Sequence, residues 1–494
     1  MAFRQCPKRL WLELHKPELR DESSAQAAFA SGNAVGEIAR QILDPHGDGV
    51  NLDPNAIGWD ASLAQTQQEI ATGERALFEA YFQTPTALAL ADVMLPAPAF
   101  DFGEAQWEMI EVKGSTSVKA PHLDDIAIQA YVARESGVRL SKVSLAHIDN
   151  SFVYQGGGNY DGLLTVVDLT TEALNRQEEV ARWLAAAQVI AESPEMPKVP
   201  LGPHCQTPYP CLFCHYCQAG IEAKEDPLAV LPHLRAERRN RWEANGIATL
   251  ESIPDGELSF LQERVRTSTL TGQTYFDAET AAATLAEHGM PARFLDFETV
   301  QFSVPQWIGT RPYQGLPFQY SLHHIEEDGS MQHREFLDLS GNDPRHALAV
   351  QLIKDCGDQG PVFVYNASFE MGIIQGFAAA FPALAPVLEQ LLQRIVDLHP
   401  IVKDCYYHPS QCGSWSLKAV TPAIAPELSY AELEGIQSGN DAGPAYLEAI
   451  NPETKPERRE TLRQQMLAYC KLDTLATVKI WECFKKSNLQ SPTK

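Results

Sequence analysis

Apolar residues along this chain fall into two rhythms. Near the N-terminus they recur at helical spacing. Residues 5 to 14 open an amphipathic helix with Pro7 in its first turn. Ser31 to Ile42 follows as a second, apolar at Val35, Ile38, Ala39 and Ile42. Residues 72 to 83 give a third element. The period then drops to two: 88 to 95 and 107 to 116 predict a strand pair, and a helix follows from His122 to Arg134. From 218 to 290 the pattern breaks into short helices and turns. Strands return at 293 to 299, 315 to 325 and 361 to 366, with a helix over 343 to 355 and another beginning near Leu467. Strands alternating with helices predict an α/β protein.

Composition narrows the class. At 494 residues the chain is too long for one core. The expected division is 1–220, a helical connector over 221–290, and 291–485. No apolar run reaches the length of a membrane span, and the N-terminus lacks the apolar core of a signal peptide, so a cytoplasmic protein with no membrane partner is expected. The net charge, 39 − 64 = −25, weighs against generic nucleic-acid binding, which rests on Lys and Arg. It leaves room for an acidic, metal-dependent site.

The strand pair of the first half carries such a site. Asp92 sits near the end of one strand, and the other reads Glu111-Val-Lys113. Asp92 and Glu111 are oxygen ligands suited to Mg²⁺ or Mn²⁺, and Lys113, one strand period from Glu111, can position or polarise an attacking water. With Gln129 and Tyr131 on the following helix, this half resembles the PD-(D/E)xK nucleases, specifically the RecB-like exonucleases associated with CRISPR systems. The family spacing Gln-x-x-x-Tyr is not met, because position 133 is Ala. Glu37 and Glu79 are weighed as extra ligands against solvated helix acids, and the latter reading is preferred.

The resembled group often carries an iron–sulfur cluster on one Cys near the N-terminus and three beyond the nuclease core. Here Cys6 is followed much later by Cys205, Cys211, Cys214 and Cys217. Five thiols compete for four places. The resemblance favours a 4Fe–4S cluster on Cys6, Cys205, Cys211 and Cys217, with Cys214 spare, acting structurally. Zinc on Cys205, Cys211, Cys214 and Cys217 is the alternative. In the connector, Gly246-Ile-Ala-Thr-Leu-Glu-Ser-Ile-Pro faintly resembles a helix-hairpin-helix. The basic run Arg235 to Arg241 offers a phosphate track, although a solvated helix face is the simpler reading.

In the second half Asp296 and Glu298 lie two apart on a strand and so share a face. Side by side they repel unless a cation neutralises them; otherwise they form a strand's polar rim facing water. Glu370 follows a buried strand at a strand-to-helix junction, and Tyr469 and Asp473 are four apart on a helix. Four carboxylates from three elements suit two metal ions about 4 Å apart. The set resembles the tyrosine-bearing DEDD exonucleases of the ribonuclease-H-like fold, with Tyr469 orienting water. The departure is Glu370, where that family has Asp. Asp397 and Lys418 are read as core and loop residues near the site, and Cys470 as a plain buried thiol, like Cys356, Cys405, Cys412 and Cys483.

The order of parts resembles bacterial fusions of a RecB-like nuclease to a ribonuclease-H-like domain. That implies a metal-dependent nuclease with two active sites, acting on DNA more than RNA and on ends or single strands, with no membrane partner. A nucleic-acid-binding scaffold with decayed sites, and an RNA-directed exonuclease, are the alternatives.

Overall fold

The computed structural model describes residues 1–22, 26–97, 105–219 and 226–486. It is an α/β protein of two compact units, Met1–Glu222 with Phe302–Gln314, and Ala223–Gln301 with Gly315–Lys494. The expected boundary at 220/221 lies outside the described residues.

The first unit is built on a six-stranded sheet, β1 (Val50–Asn51), β2 (Leu77–Gln83), β3 (Leu88–Ala97), β4 (Gln106–Lys113), β5 (Leu140–Ile148) and β6 (Leu164–Asp168), in that spatial order. β2, β3 and β4 run antiparallel and β4 is parallel to β5. Alternation sorts the side chains. Val93 and Ile110 pack in a cluster with Phe78 and Ala146, while Met94 and Met109 turn to a larger core that includes Ile126, Ala130 and Ala133 of helix Ala120–Glu135. The third element over 72–83 is thus the strand β2, where Phe78, Tyr81 and Phe82 are buried. Residues 302–314 lie in the chain between strands of the second unit but belong to the first. Val304 shares a core with Val35, Ile148 and Leu163, and the Tyr313 hydroxyl donates to the Gly114 carbonyl.

The second unit contains a two-stranded ribbon of β7 (Tyr275–Phe276) with β13 (Tyr406–Tyr407) and a five-stranded mixed sheet. The latter comprises β8 (Ala292–Val300), β9 (Leu316–Ile325), β10 (Met331–Leu337), β11 (Val362–Val364) and β12 (Ile395–Asp397), ordered β10-β9-β8-β11-β12. β8 is antiparallel to β9 and parallel to β11. It is covered on both faces. Phe294 packs with Phe363 and with Trp481 of helix Pro456–Lys486, whereas Leu295 and Phe297 pack with Leu352, Ile374 and Phe377.

The segment expected as a connector is part of this unit's core: Leu228, Leu231, Trp242, Leu250, Ile253 and Val265 join the cluster of Phe294 and Trp481. Its arginines are spent locally. Arg239 pairs with Asp226 and Glu243, and Arg241 with Glu257, which is the solvated-face reading of the basic run.

Candidate functional site

Two acid clusters form, one in each unit. In the first, the β3–β4 ladder sets Asp92 beside Glu111, since Val93 pairs with Ile110. Asp92 Oδ2 accepts the Val112 amide at 2.7 Å. Lys113 Nζ reaches Glu111 Oε1 at 2.5 Å and Asp125 Oδ2 at 2.8 Å. Burial raises the Asp92 carboxyl well above its ordinary range, and the Glu111 charge adds to this. Burial also raises Glu111, against the pull of Lys113. Burial works against the Lys113 charge, but Glu111, Asp125 and Asp92 together hold its pKa above the ordinary value. Gln129 lies beside Glu111, with its Oε1 buried and unpartnered.

Asp125 is the residue the sequence reading missed. It sits four before Gln129 on the same helix face, a signal that was available. Tyr131 does not join the site. Two positions from Gln129 on a helix, it points elsewhere and packs against the core of Met94 and Met109. Glu79 lies on a strand, not a helix, and its half-buried carboxylate is paired with Arg40 at 3.0 Å. Glu37 is largely exposed.

All five N-terminal-unit thiols line one pocket with Lys8, Arg9 and His204. Among the described residues no two cysteines form a disulfide. Burial raises the Cys211 thiol, with Cys217 and Cys6 adding to it; burial likewise raises Cys214, with Cys205, Cys211 and Cys217 contributing. The pocket does not separate Cys214 from the favoured four.

In the second unit Asp296 and Glu298 project from one face of β8 toward helix Pro456–Lys486; Glu298 is buried and Asp296 half-buried at the edge of a pocket. Burial raises the Asp296 carboxyl far above its usual range, and Asp473, Glu298 and Glu370 each push it further. Burial, then Asp473, lifts Glu298 to about 8, with Lys418 opposing. Asp473 rises to about 6 through burial, held back by the hydroxyls of Tyr430 and Tyr469 and by Lys418. Tyr430 donates to Asp473 Oδ1 at 2.5 Å.

Glu370 stands in the first turn of helix Ala367–Ala380, almost wholly buried with Oε2 unpartnered. Burial lifts it to about 8. Asp397 accepts the Asn366 and Ala367 amides at 3.0 Å, which anchors the start of that helix; its role is structural, as expected.

Lys418, expected in a loop near the site, stands in the first turn of helix Leu417–Ile424. It lines, with Asp296, Tyr469, Asp473 and Trp415, an open pocket of about 750 Å³, and its Nζ stands 4.8 Å from the Tyr469 ring centre. Cys470 is not a plain core thiol. Its Sγ lies 3.6 Å from Asp296 Oδ2, and among the described residues the only group of three or more metal-ligating atoms within 4.8 Å of one another is Asp296, Glu298 and Cys470. Tyr430, in a short turn without periodicity, gave no sequence signal.

Among the described residues no helix is long and apolar enough to cross a membrane. No curated protein and no solved structure matches the chain. A family model described as a domain of unknown function, DUF2779, matches residues 293–416, a stretch that holds Asp296, Glu298 and Glu370 but ends before Tyr469 and Asp473.

Proposed function

We propose that this protein is a metal-dependent nuclease that hydrolyses phosphodiester bonds, acting on DNA, with one hydrolytic centre in each unit. The observation that carries the reading is that Asp473, Glu298 and Glu370, from three separate elements, all act on the Asp296 carboxyl, and that Asp296 and Asp473 line an open pocket. Buried like charges are costly, and a fold that assembles four of them invites a divalent cation. Asp296, Glu298, Glu370 and Asp473 would hold Mg²⁺ or Mn²⁺, which supplies an activated water and neutralises the developing phosphate charge. The chain's own groups do the rest. Tyr469 orients the nucleophile from the helix that carries Asp473. Lys418 lines the pocket where a phosphate would enter. In the first unit Asp92 and Glu111 would ligate, and Lys113, already held by two carboxylates, polarises water.

The thiol pocket fits an iron–sulfur cluster better than zinc. Four thiolates on one zinc stand about 3.8 Å apart, and among the described residues no three thiols have their sulfurs all within 4.8 Å of one another. Lys8 and Arg9 beside the sulfurs favour thiolate. Its role would be structural.

The test is Mg²⁺- or Mn²⁺-dependent degradation of labelled single- and double-stranded DNA and RNA by the wild type, Asp296→Ala, Lys113→Ala and the double variant. Each single variant should keep one activity and the double variant none. Absence of cutting on every substrate by the wild type overturns the reading in favour of a nucleic-acid-binding scaffold, which Glu370 in place of the family's Asp would fit. Cutting of RNA alone would reassign the substrate.

A further inference from the structure

Cys470 stands in the acid cluster on the same helix as Tyr469 and Asp473, yet the proposed hydrolysis does not use it. Its thiol is fully buried and directed at the Asp296 carboxylate, with Sγ 3.6 Å from Oδ2. The Glu298 carboxylate completes a trio whose ligand atoms all lie within 4.8 Å of one another. Glu298 is itself more than nine-tenths buried, at 7 % exposed. A buried carboxylate within ligand distance of a thiol and a second carboxylate marks a place for a cation. Asp473 is committed differently, since its Oδ1 takes the Tyr430 hydroxyl.

We propose that Asp296, Glu298 and Cys470 form a mixed oxygen–sulfur site that selects a thiophilic divalent cation of the zinc class over Mg²⁺. The proposal rests on the reading of this cluster as a cation-binding centre and adds a ligand and a metal preference to it. The donor chemistry sets the preference. Mg²⁺ takes oxygen ligands and waters in a strict octahedron and gains nothing from sulfur. Zn²⁺ binds cysteine sulfur and carboxylate oxygen together, and thiolate donors favour such metals. Binding breaks the S–H bond, forms a metal–sulfur bond and releases the proton to solvent, with no change of oxidation state. The position of Cys470, one residue after Tyr469 and three before Asp473, places the sulfur on the inner face of the helix, against β8.

Calorimetric titration of the full-length protein with Zn²⁺ and, separately, Mg²⁺ tests this. Wild type, Cys470→Ser and Glu298→Gln are compared, so that the five thiols of the first unit contribute equally to all three. Cys470→Ser should weaken one Zn²⁺ site by about tenfold or more and leave Mg²⁺ affinity unchanged, whereas Glu298→Gln should weaken both. An unaltered Zn²⁺ isotherm in Cys470→Ser overturns the proposal while leaving the nuclease reading intact. Mg²⁺ binding that survives Glu298→Gln strikes at the nuclease reading itself. Cys470→Ala is run in parallel, with circular dichroism to check folding. If neither Cys470 variant folds, Co²⁺ spectra of wild type and Glu298→Gln decide: a thiolate charge-transfer band among the lost absorption supports the site, and a purely oxygen-ligated spectrum overturns it.

Discussion

At Asp92 and Glu111 the opposing charge is built into the strand: Lys113 shares their face of the sheet and bonds Glu111 and Asp125 directly. At Asp296, Glu298, Glu370 and Asp473 the nearby cation is Lys418, whose Nζ is drawn to the Gln437 carbonyl and to the rings of Tyr430 and Tyr469. The first cluster balances three carboxylates with one cation held among them. The second leaves four carboxylates to burial, with only Lys418 acting on Glu298 and Asp473 from a distance. The acids are alike, but the first site carries part of its own counter-charge and the second must acquire it as protons or as metal.

The sharpest way to break that contrast is to remove the lysine. Lys113→Met strands Asp92, Glu111 and Asp125, and removing one partner of a buried ion cluster costs about 3–5 kcal/mol. Denaturant unfolding of the metal-free protein should register a loss of that order, and Mg²⁺ should recover part of it. No loss would mean that the lysine and acids do not form one electrostatic unit.

The opposite sign is expected in the second cluster. Glu298→Gln removes a charge from a set that repels itself, so the metal-free protein at pH 8 to 9 should gain about 2 kcal/mol. The pH dependence follows from the same shifts. Glu298 and Glu370 titrate near 8 in the folded protein, above the ordinary 4.5. A raised carboxyl contributes stability that is complete below its unfolded pKa and is lost as pH climbs through the folded one. Metal-free stability should therefore fall between pH 4.5 and about 8, less steeply in Glu298→Gln. Saturating Mg²⁺ should flatten the curve, adding about 2.7 kcal/mol at a hundred times Kd. A curve that is flat without metal would show that burial does not raise Glu298 and Glu370 in the folded protein.

The contrast also explains what the sequence could reveal. Asp-x-Glu on β8 and Glu-x-Lys on β4 are local: two residues on one strand face are together by geometry, whatever the tertiary fold. Tyr469 and Asp473 are likewise fixed by one helix. Tyr430 was illegible because it reaches Asp473 from elsewhere in the chain, out of a short turn whose own residues carry no pattern. Cys470 was misread for the opposite reason. Its position in an apolar helix face is what a core thiol looks like, and only the packing of that helix on β8 brings its sulfur to Asp296. The connector was misassigned because short helices with breaks resemble a linker; their apolar residues find a core only in the company of Phe294 and Trp481.

The smallest effect concerns Tyr430. Its hydroxyl donates to Asp473 Oδ1, and a donor of this kind favours the ionised carboxylate. Tyr430→Phe should therefore raise the Asp473 pKa further above about 6. The lost bond is worth about 1 kcal/mol, felt where Asp473 is charged. In the metal-free protein the destabilisation should be present at pH 8 and fade below pH 6, the value about which Asp473 titrates. Tyr469→Phe removes the second hydroxyl facing Asp473 and should show the same pH signature. It should differ in the presence of Mg²⁺ and substrate, where loss of a water-orienting hydroxyl lowers the rate across the whole pH range. Unfolding curves for both variants at pH 5 and 8, beside their single-turnover rates, separate a phenol that tunes a carboxylate from one that also positions the nucleophile. Matching rate losses in the two variants would give both tyrosines the same role.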